Sequence, residues 1–100
     1  MAKYFLLAEA EADLAAIVEY TRTTWGEVQS DRYLSQLEAC CQQLADIPQL
    51  GRALTEKRPG LLRVNQGQHM ILYLVTSDGI DVVRVLHQRM LPDAHLTDDE

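Results

Sequence analysis

The chain has 100 residues, of which 47% are hydrophobic and 24% are charged, and its formal net charge at pH 7 is −6. A chain of this length forms one domain that buries roughly 65% of its unfolded surface, so it needs neither a disulfide nor a structural metal. Its longest apolar run, Met70 to Val75, is too short for a membrane helix, and its start lacks the apolar segment of a signal peptide, so we expect a cytoplasmic protein.

The first segment, residues 1-7, predicts a strand, because Lys3 to Leu7 is a short and largely apolar run. From Ala8 the period changes to that of a helix, and acidic residues near its start favour the positive end of the helix dipole. The side chains that fall on one helical face are Leu14, Ile17, Val18, Thr21 and Trp25. Gly26 is expected to end this helix.

A second helix is predicted to begin within Glu27 to Asp31 and to stop at Pro48. Its apolar stripe consists of Leu34, Leu37, Cys41 and Leu44, widened by Tyr33, Cys40 and Ile47. Because so few residues separate the helices, residues 8-48 should form an antiparallel αα-hairpin. The joint apolar face of this hairpin must be covered by a sheet.

The two cysteines, Cys40 and Cys41, are adjacent on the predicted second helix. Successive helical side chains point about 100° apart, so these thiols cannot readily pair with each other, and we expect both to be reduced. The histidines His69, His87 and His95 form no metal-ligand spacing with them. We therefore predict no metal and no cofactor.

The third region is a polar and basic linker, residues 49-60, followed by a sheet at 61-90 and an acidic tail at 91-100. Three strands are expected at Leu61 to Val64, Gln68 to Thr76 and Ile80 to His87, with Gly67 and Gly79 in the turns. The predicted fold class is α+β, with an N-terminal strand and an αα-hairpin packed on a three-stranded antiparallel sheet.

Charge is distributed unevenly along the chain. Between Arg52 and Arg89 six basic residues face three acidic ones, a local balance of +3, whereas both flanks are acidic. The sheet region is therefore the basic part of an acidic protein. Its arginines Arg58, Arg63 and Arg89 are the strongest candidates for contacts with another molecule.

Landmarks along nearly the whole chain occur together in a known order. The helical half carries Ala12-Asp13-Leu14, Ile17, Tyr20-Thr21, Trp25-Gly26, Tyr33, Leu37, Leu44, Pro48 and Gly51-Arg52. The sheet half carries Arg58-Pro59-Gly60-Leu61, Gly67, His69, Ile71, Tyr73, Arg84-Val85-Leu86-His87, Met90 and His95-Leu96. Each motif alone is weak, but the joint spacing resembles that of the ParE toxins in the ParE/RelE superfamily.

The resemblance implies a toxin of a bacterial type II toxin–antitoxin pair, neutralised by a ParD-like antitoxin in a hetero-oligomer. It also implies stoichiometric inhibition of DNA gyrase, with nucleic acid met only through the antitoxin or the target complex. No catalytic residue and no small-molecule substrate is then expected. The residues predicted to contact antitoxin or target are Arg58, Arg63, Arg84, His87, Arg89, Met90 and Trp25.

Two other functions remain open at the sequence level. RelE-like relatives are ribosome-dependent ribonucleases, and cleavage of RNA needs a base, an acid and cations, which could come from Glu56, Lys57, Arg63, Arg84 and His87. In a regular strand, however, Arg84 and His87 point to opposite faces unless a bulge intervenes. Alternatively, the domain is an inactive toxin that serves only as a binding and co-repressor module.

Several candidates also have plainer structural explanations. These explanations place Arg84 in an ion pair of the sheet or with a partner, His87 in a strand hydrogen bond, and Trp25 as an anchor in the core or at the joint of the hairpin. The chain also departs from the family at two places. Leu7-Ala8-Glu9 lacks the Ser or Thr cap and Pro of many relatives, and Leu91 stands where Asp is common.

Overall fold

The computed structural model describes residues 2–54 and 59–89, which form two helices packed on a five-stranded mixed sheet. The elements are β1 (Lys3–Leu6), α1 (Ala8–Trp25), α2 (Glu27–Asp46), a 3-10 turn (Pro48–Leu50), β2 (Arg52–Ala53), β3 (Leu62–Gln66), β4 (His69–Val75) and β5 (Gly79–His87). The strands lie in the sheet in the order β1-β5-β4-β3-β2. Neither helix is long and apolar enough to cross a membrane.

The helical hairpin follows the sequence prediction closely. A single residue, Gly26, separates α1 from α2 and adopts a φ of 95°, a conformation that glycine tolerates without a steric penalty. The Gly26 N–H donates to the carbonyl of Arg22 at 3.0 Å, which closes α1. Leu7 precedes α1 without a side-chain cap, as the missing Ser or Thr indicated.

The N-terminal strand β1 runs parallel to β5, whereas every other strand pair is antiparallel. The backbones of β1 and β5 approach each other very closely at the start of this strand pair, where Lys3 is the register partner of Gly79. A Cβ atom at Gly79 would lie 1.8 Å from the Lys3 carbonyl oxygen. Gly79 therefore serves the β1 contact as well as the turn for which the sequence singled it out.

The main core lies between the helices and the sheet. Its buried side chains are Ala10, Leu37, Cys41, Leu44, Ala45, Ile71, Tyr73, Ile80, Val82 and Val85. A second cluster on the outer face of the sheet, away from the helices, consists of Leu61, Met70, Leu72 and Leu86. Strand β4 contributes to both clusters, which explains its continuous apolar run.

Three predictions need correction. The sheet has five strands rather than three, because β1 joins it and a two-residue strand, β2, forms inside the predicted linker 49-60. So short a strand has no alternating pattern that could reveal it. Trp25 is not a core anchor, since its side chain is 68% exposed at the end of α1.

A β-bulge interrupts the pairing of β4 with β5. Leu72 is the register partner of Arg84, but the next residue, Tyr73, pairs with Val82, so Val83 has no partner. The bulge reverses the alternation of β5: Val85 follows Val82 into the helix-side core, and Leu86 joins the outer cluster. The strict alternation of faces assumed in the sequence analysis therefore does not hold along the whole of β5.

Asp13 of α1 binds the bulged segment. Strand β1 covers β5 only as far as Val82, and beyond it the Val85 N–H donates to Asp13 Oδ2 at 2.9 Å. The Arg84 guanidinium donates to the same carboxylate through Nε at 2.8 Å and through a terminal nitrogen at 3.0 Å. The side chains of both partners are 16% exposed. The hydrogen bond to Asp13 raises the pKa of Arg84.

We expect Asp13→Ala to destabilise the fold by about 2–4 kcal/mol, because it leaves a largely buried guanidinium and a strand N–H without their acceptor. For a domain of this size that corresponds to a fall in Tm of roughly 10–20 °C, measurable by calorimetry. Glu19→Ala is the matched control, since its pair with Arg22 has the same 2.8 Å separation but is 50–65% exposed. It should cost less than about 1 kcal/mol. Equal losses in the two variants would contradict the role given to Asp13.

Candidate functional site

A cleft of about 350 Å³ lies where the second half of α1, the first half of α2 and the β3–β4 turn meet. Its walls carry aromatic side chains and its floor carries histidines. The residues that matter for its chemistry are Tyr20, Trp25, Tyr33, Gly67, His69 and His87. We refer to it as the aromatic–histidine cleft.

The rim of the cleft is apolar and open to solvent. Tyr20 and Trp25 line it from α1 and are 67% and 68% exposed. Val28, three residues beyond Trp25 at the start of α2, is 74% exposed. Single exposed apolar residues are ordinary, but three large ones around one helical joint form the kind of patch that marks a contact with another molecule.

Tyr33 of α2 holds the β3–β4 turn against the helices. Its hydroxyl accepts a hydrogen bond from the Gln68 N–H at 3.1 Å and lies 2.6 Å from Nδ1 of His69. Gly67 in this turn has a φ of 60°, and a Cβ atom there would lie 2.7 Å from the tyrosine ring. Glycine is thus required both by the turn and by the close approach of Tyr33. Burial raises the pKa of Tyr33.

Two histidines face each other across β4 and β5. His69 and His87 are register partners, and their ring centroids are 5.4 Å apart at an interplanar angle of 75°. The Nδ1 atom of His87 accepts from the Arg89 N–H at 3.1 Å. Burial, and secondarily the neighbouring His87, lower the pKa of His69. The neutral imidazole of His69 is therefore favoured over the charged form.

Among the described residues, the metal-ligating side chains near the cleft do not gather into one group. Across residues 2–54 and 59–89, no group of three or more His, Cys, Asp or Glu side chains converges. The Nδ1 atoms of both histidines are also engaged in hydrogen bonds. The two cysteines are free, as predicted, and burial raises the pKa of Cys41 to about 12, so its thiol stays protonated.

Among the described residues, two of the predicted contacts line the cleft together, Trp25 and His87. Arg63 lies on β3, Arg84 is held by Asp13, and Arg89 is exposed just after β5. Arg58 and Met90 lie outside the described residues, as do Glu56 and Lys57 of the ribonuclease set.

The two tyrosines of the cleft, Tyr20 and Tyr33, were not among the predicted contacts, and neither were Gly67 and His69. Tyr20 carries a usable signal, because its position on α1 lies off the apolar stripe and leaves an aromatic side chain on the solvent side. Tyr33 was predicted only as part of the apolar stripe of α2. Its contact with the turn spans more than thirty residues of sequence, so no local pattern announces it.

Comparison with known proteins gives a consistent result. The family described as "ParE toxin of type II toxin-antitoxin system, parDE" matches residues 4–92. Toxin ParE1 of Mycobacterium tuberculosis is 43% identical over 95 residues, which is 94% of this chain and 97% of that protein. Toxin ParE1 of Caulobacter vibrioides is 35% identical, with 96% and 99% of the two chains covered.

Solved structures show the same fold. A chain of the chromosomal ParDE toxin–antitoxin system from P. aeruginosa superimposes with a TM-score of 0.71 at 17% identity, covering 87% of this chain and 96% of that one. A chain of the RelBE2 toxin–antitoxin complex of Mycobacterium tuberculosis gives 0.59 at 17% identity, covering 87% and 98%. The expectation of a ParE/RelE-like α+β fold is confirmed.

The lowered pKa of His69 predicts a pH-dependent stability. Between the folded pKa and the ordinary value of 6.5 the unfolded chain binds more protons, so this contribution is present above 6.5 and is lost as the pH falls through the folded pKa. We expect the urea midpoint to fall between about pH 7.5 and about pH 5, and to fall less in His69→Gln. The carboxylates of the chain are the same in both proteins, so the difference between the two profiles reports His69 and its contacts with His87 and Tyr33. Parallel pH profiles would disprove this assignment.

Proposed function

Since this chain belongs to the ParE toxin family of type II toxin–antitoxin systems, we propose that a ParD-like antitoxin holds it inactive by binding the helical hairpin across the aromatic–histidine cleft. We further propose that the free toxin inhibits DNA gyrase by stoichiometric binding. Both partners would meet the toxin in the cytoplasm. No cofactor takes part in either interaction.

The exposed rim of the cleft carries the first part of this proposal. Tyr20 and Trp25, which line this rim, are 67% and 68% exposed, and Val28 is 74% exposed nearby in sequence at the start of α2. An amphipathic segment that covers them would gain roughly 25 cal/mol for each Å² of apolar surface removed from water. Helix-in-groove recognition of this kind uses apolar anchors entering a preformed cleft, with the floor supplying hydrogen bonds. Tyr33 and His69 supply such polar groups.

The separation of the basic side chains supports binding rather than catalysis. Three described residues of the ribonuclease set, Arg63, Arg84 and His87, do not converge on one site. Arg84 is held by Asp13, and His87 packs edge-to-face against His69. Arg63 alternates with Leu62 and Val64, which pack into the helix-side core, so it faces away from the cleft. Cleavage of RNA would need these groups around one phosphate.

The proposed target surface is the basic part of the sheet together with the segment that follows it. Arg63 and Arg89 are the described members of this surface, and Arg58 and Met90 complete the set expected from the sequence. Arg84 can contribute to this target surface only with the part of its guanidinium that Asp13 does not bind. A co-repressor function without toxicity remains a distinguishable alternative.

Trp25→Ala should weaken antitoxin binding by roughly 10- to 100-fold, the range typical of a tryptophan anchor at an interface. Because Trp25 is 68% exposed, Tm should change little. Calorimetric titration of the purified toxin with its antitoxin measures the first and thermal unfolding the second. Phe5→Ala is the matched control, an aromatic residue that is 55% exposed on β1 and should leave binding unchanged. Equal affinity of the two variants would remove the cleft from the antitoxin contact.

Gyrase inhibition is tested directly on plasmid DNA. Purified toxin should block supercoiling when its molar concentration is near that of gyrase, and added antitoxin should restore supercoiling. The parallel assay is mRNA cleavage on translating ribosomes. Unaffected supercoiling with clear cleavage would establish the ribonuclease instead. Undiminished growth when the toxin is expressed without antitoxin would favour the co-repressor module.

A further inference from the structure

Two arginines lie side by side on the outer face of the sheet. Arg52 of β2 is the register partner of Arg63 on β3. Directly opposed residues of an antiparallel pair project to the same face, with Cβ atoms about 4.5–5.5 Å apart. Leu62 and Val64 pack into the helix-side core, so Arg63, and Arg52 with it, project to the opposite side.

This arrangement is unfavourable in the isolated protein. Like charges directly opposite each other destabilise a strand pair. Within residues 2–54 and 59–89, neither Arg52 nor Arg63 has an ion pair or side-chain hydrogen bond, in contrast to Arg84 and Arg22. An anionic group placed between the two guanidinium groups would turn the repulsion into two attractive contacts.

A groove of about 180 Å³ lies at the same place. Its lining joins the two arginines to Leu50, Val64 and Asn65. Leu50 is 47% exposed and offers apolar surface, and the Asn65 amide offers both a donor and an acceptor. Among the described strands β2 is the last in the sheet order, so the groove lies at an edge of the sheet. Such an edge accepts an extended segment.

We propose that this groove binds an extended acidic segment of a protein partner, whose carboxylates pair with Arg52 and Arg63. Guanidinium groups present paired N–H donors that match a carboxylate in bidentate fashion. An extended segment with acidic residues at alternate positions would direct them to one side, toward both arginines. We call Arg52, Arg63 and the groove between them the arginine groove.

The charge of the protein selects an acidic protein segment over nucleic acid. Binding to a nucleic acid backbone draws on several cations arranged along several phosphates. The described outer face has only these two arginines at this edge, whereas Lys3 lies on β1 at the far edge and Asp81 on β5 between them. Two cations suit one or two carboxylates.

The arginine groove adds Arg52 to the target contact proposed above through Arg63 and gives that contact a chemistry. It rests on the proposed function only in taking Arg63 as a contact residue, and it requires no particular partner. The test therefore measures binding of a peptide, independently of gyrase. Gyrase inhibition can fail while the peptide binds, and the peptide can fail while gyrase is inhibited.

The probe is a peptide of about eight residues in which Glu alternates with Thr, titrated into the full-length protein and followed by amide NMR shifts. We expect shifts at residues 50–53 and 63–65, and binding that weakens as salt rises from about 50 to about 300 mM. Arg52→Gln and Arg63→Gln should each weaken binding at least about fivefold, and the double variant by more than either. Arg32→Gln, an exposed arginine of α2, is the control and should bind normally.

Folding is checked in the same variants. Arg52→Gln should keep or raise Tm, because it removes one of two opposed like charges. Several results would overturn the proposal: no binding, equal binding of the peptide with Gln in place of Glu, or equal binding to the double variant. Tighter binding of a single-stranded oligonucleotide would assign the groove to nucleic acid. Much tighter peptide binding after removal of residues 93–100 would make the acidic tail the occupant.

Discussion

The carboxylate of Asp13 is the constraint on which the functional half of this structure depends. It takes up the Val85 N–H where β1 no longer covers β5, and it binds the Arg84 guanidinium at the same point. One side chain of α1 thus replaces the missing continuation of a neighbouring strand. Because buried N–H groups must be paired, an apolar residue at this position would leave the open edge of β5 unsatisfied.

The bulge at Val83 determines which face of β5 carries His87, and so whether His87 reaches the cleft. With one extra residue in β5, His87 lies on the side of the helices and meets His69. Without it, strict alternation would direct His87 to the outer face, and the cleft would lose half of its floor. Tyr33 then fixes the position of the β3–β4 turn, because its ring packs against Gly67, where a side chain would clash with it. Helix, bulge and turn together define a cleft that no single element contains.

The features that the sequence predicts depend on interactions between residues close together in the chain. The features that it misses depend mostly on residues far apart in the chain. Helical periodicity and Gly26 give both helices, and Gly67 and Gly79 give the meander, because each of these signals is local. The bulge is missed because no local pattern marks it, and Asp13, which binds the bulged segment, lies about seventy residues away in sequence. Strand β2 is missed because two residues cannot show a period. Trp25 continues the apolar stripe of α1, yet it is 68% exposed at the rim of the aromatic–histidine cleft rather than packed in the core.

The two faces of the domain suit different parts of an interaction. Burial of Tyr20 and Trp25 in the aromatic–histidine cleft would give affinity that is largely independent of salt, expressed mainly in slow dissociation. Ion pairs at the arginine groove would instead guide encounter and select the partner by charge, and they would weaken as ionic strength rises. A toxin that must be captured quickly and held firmly benefits from having both. Since the arginine groove lies on the sheet face opposite the helices and opens at the β2 edge, one partner chain could use both surfaces only by passing around an edge of the sheet.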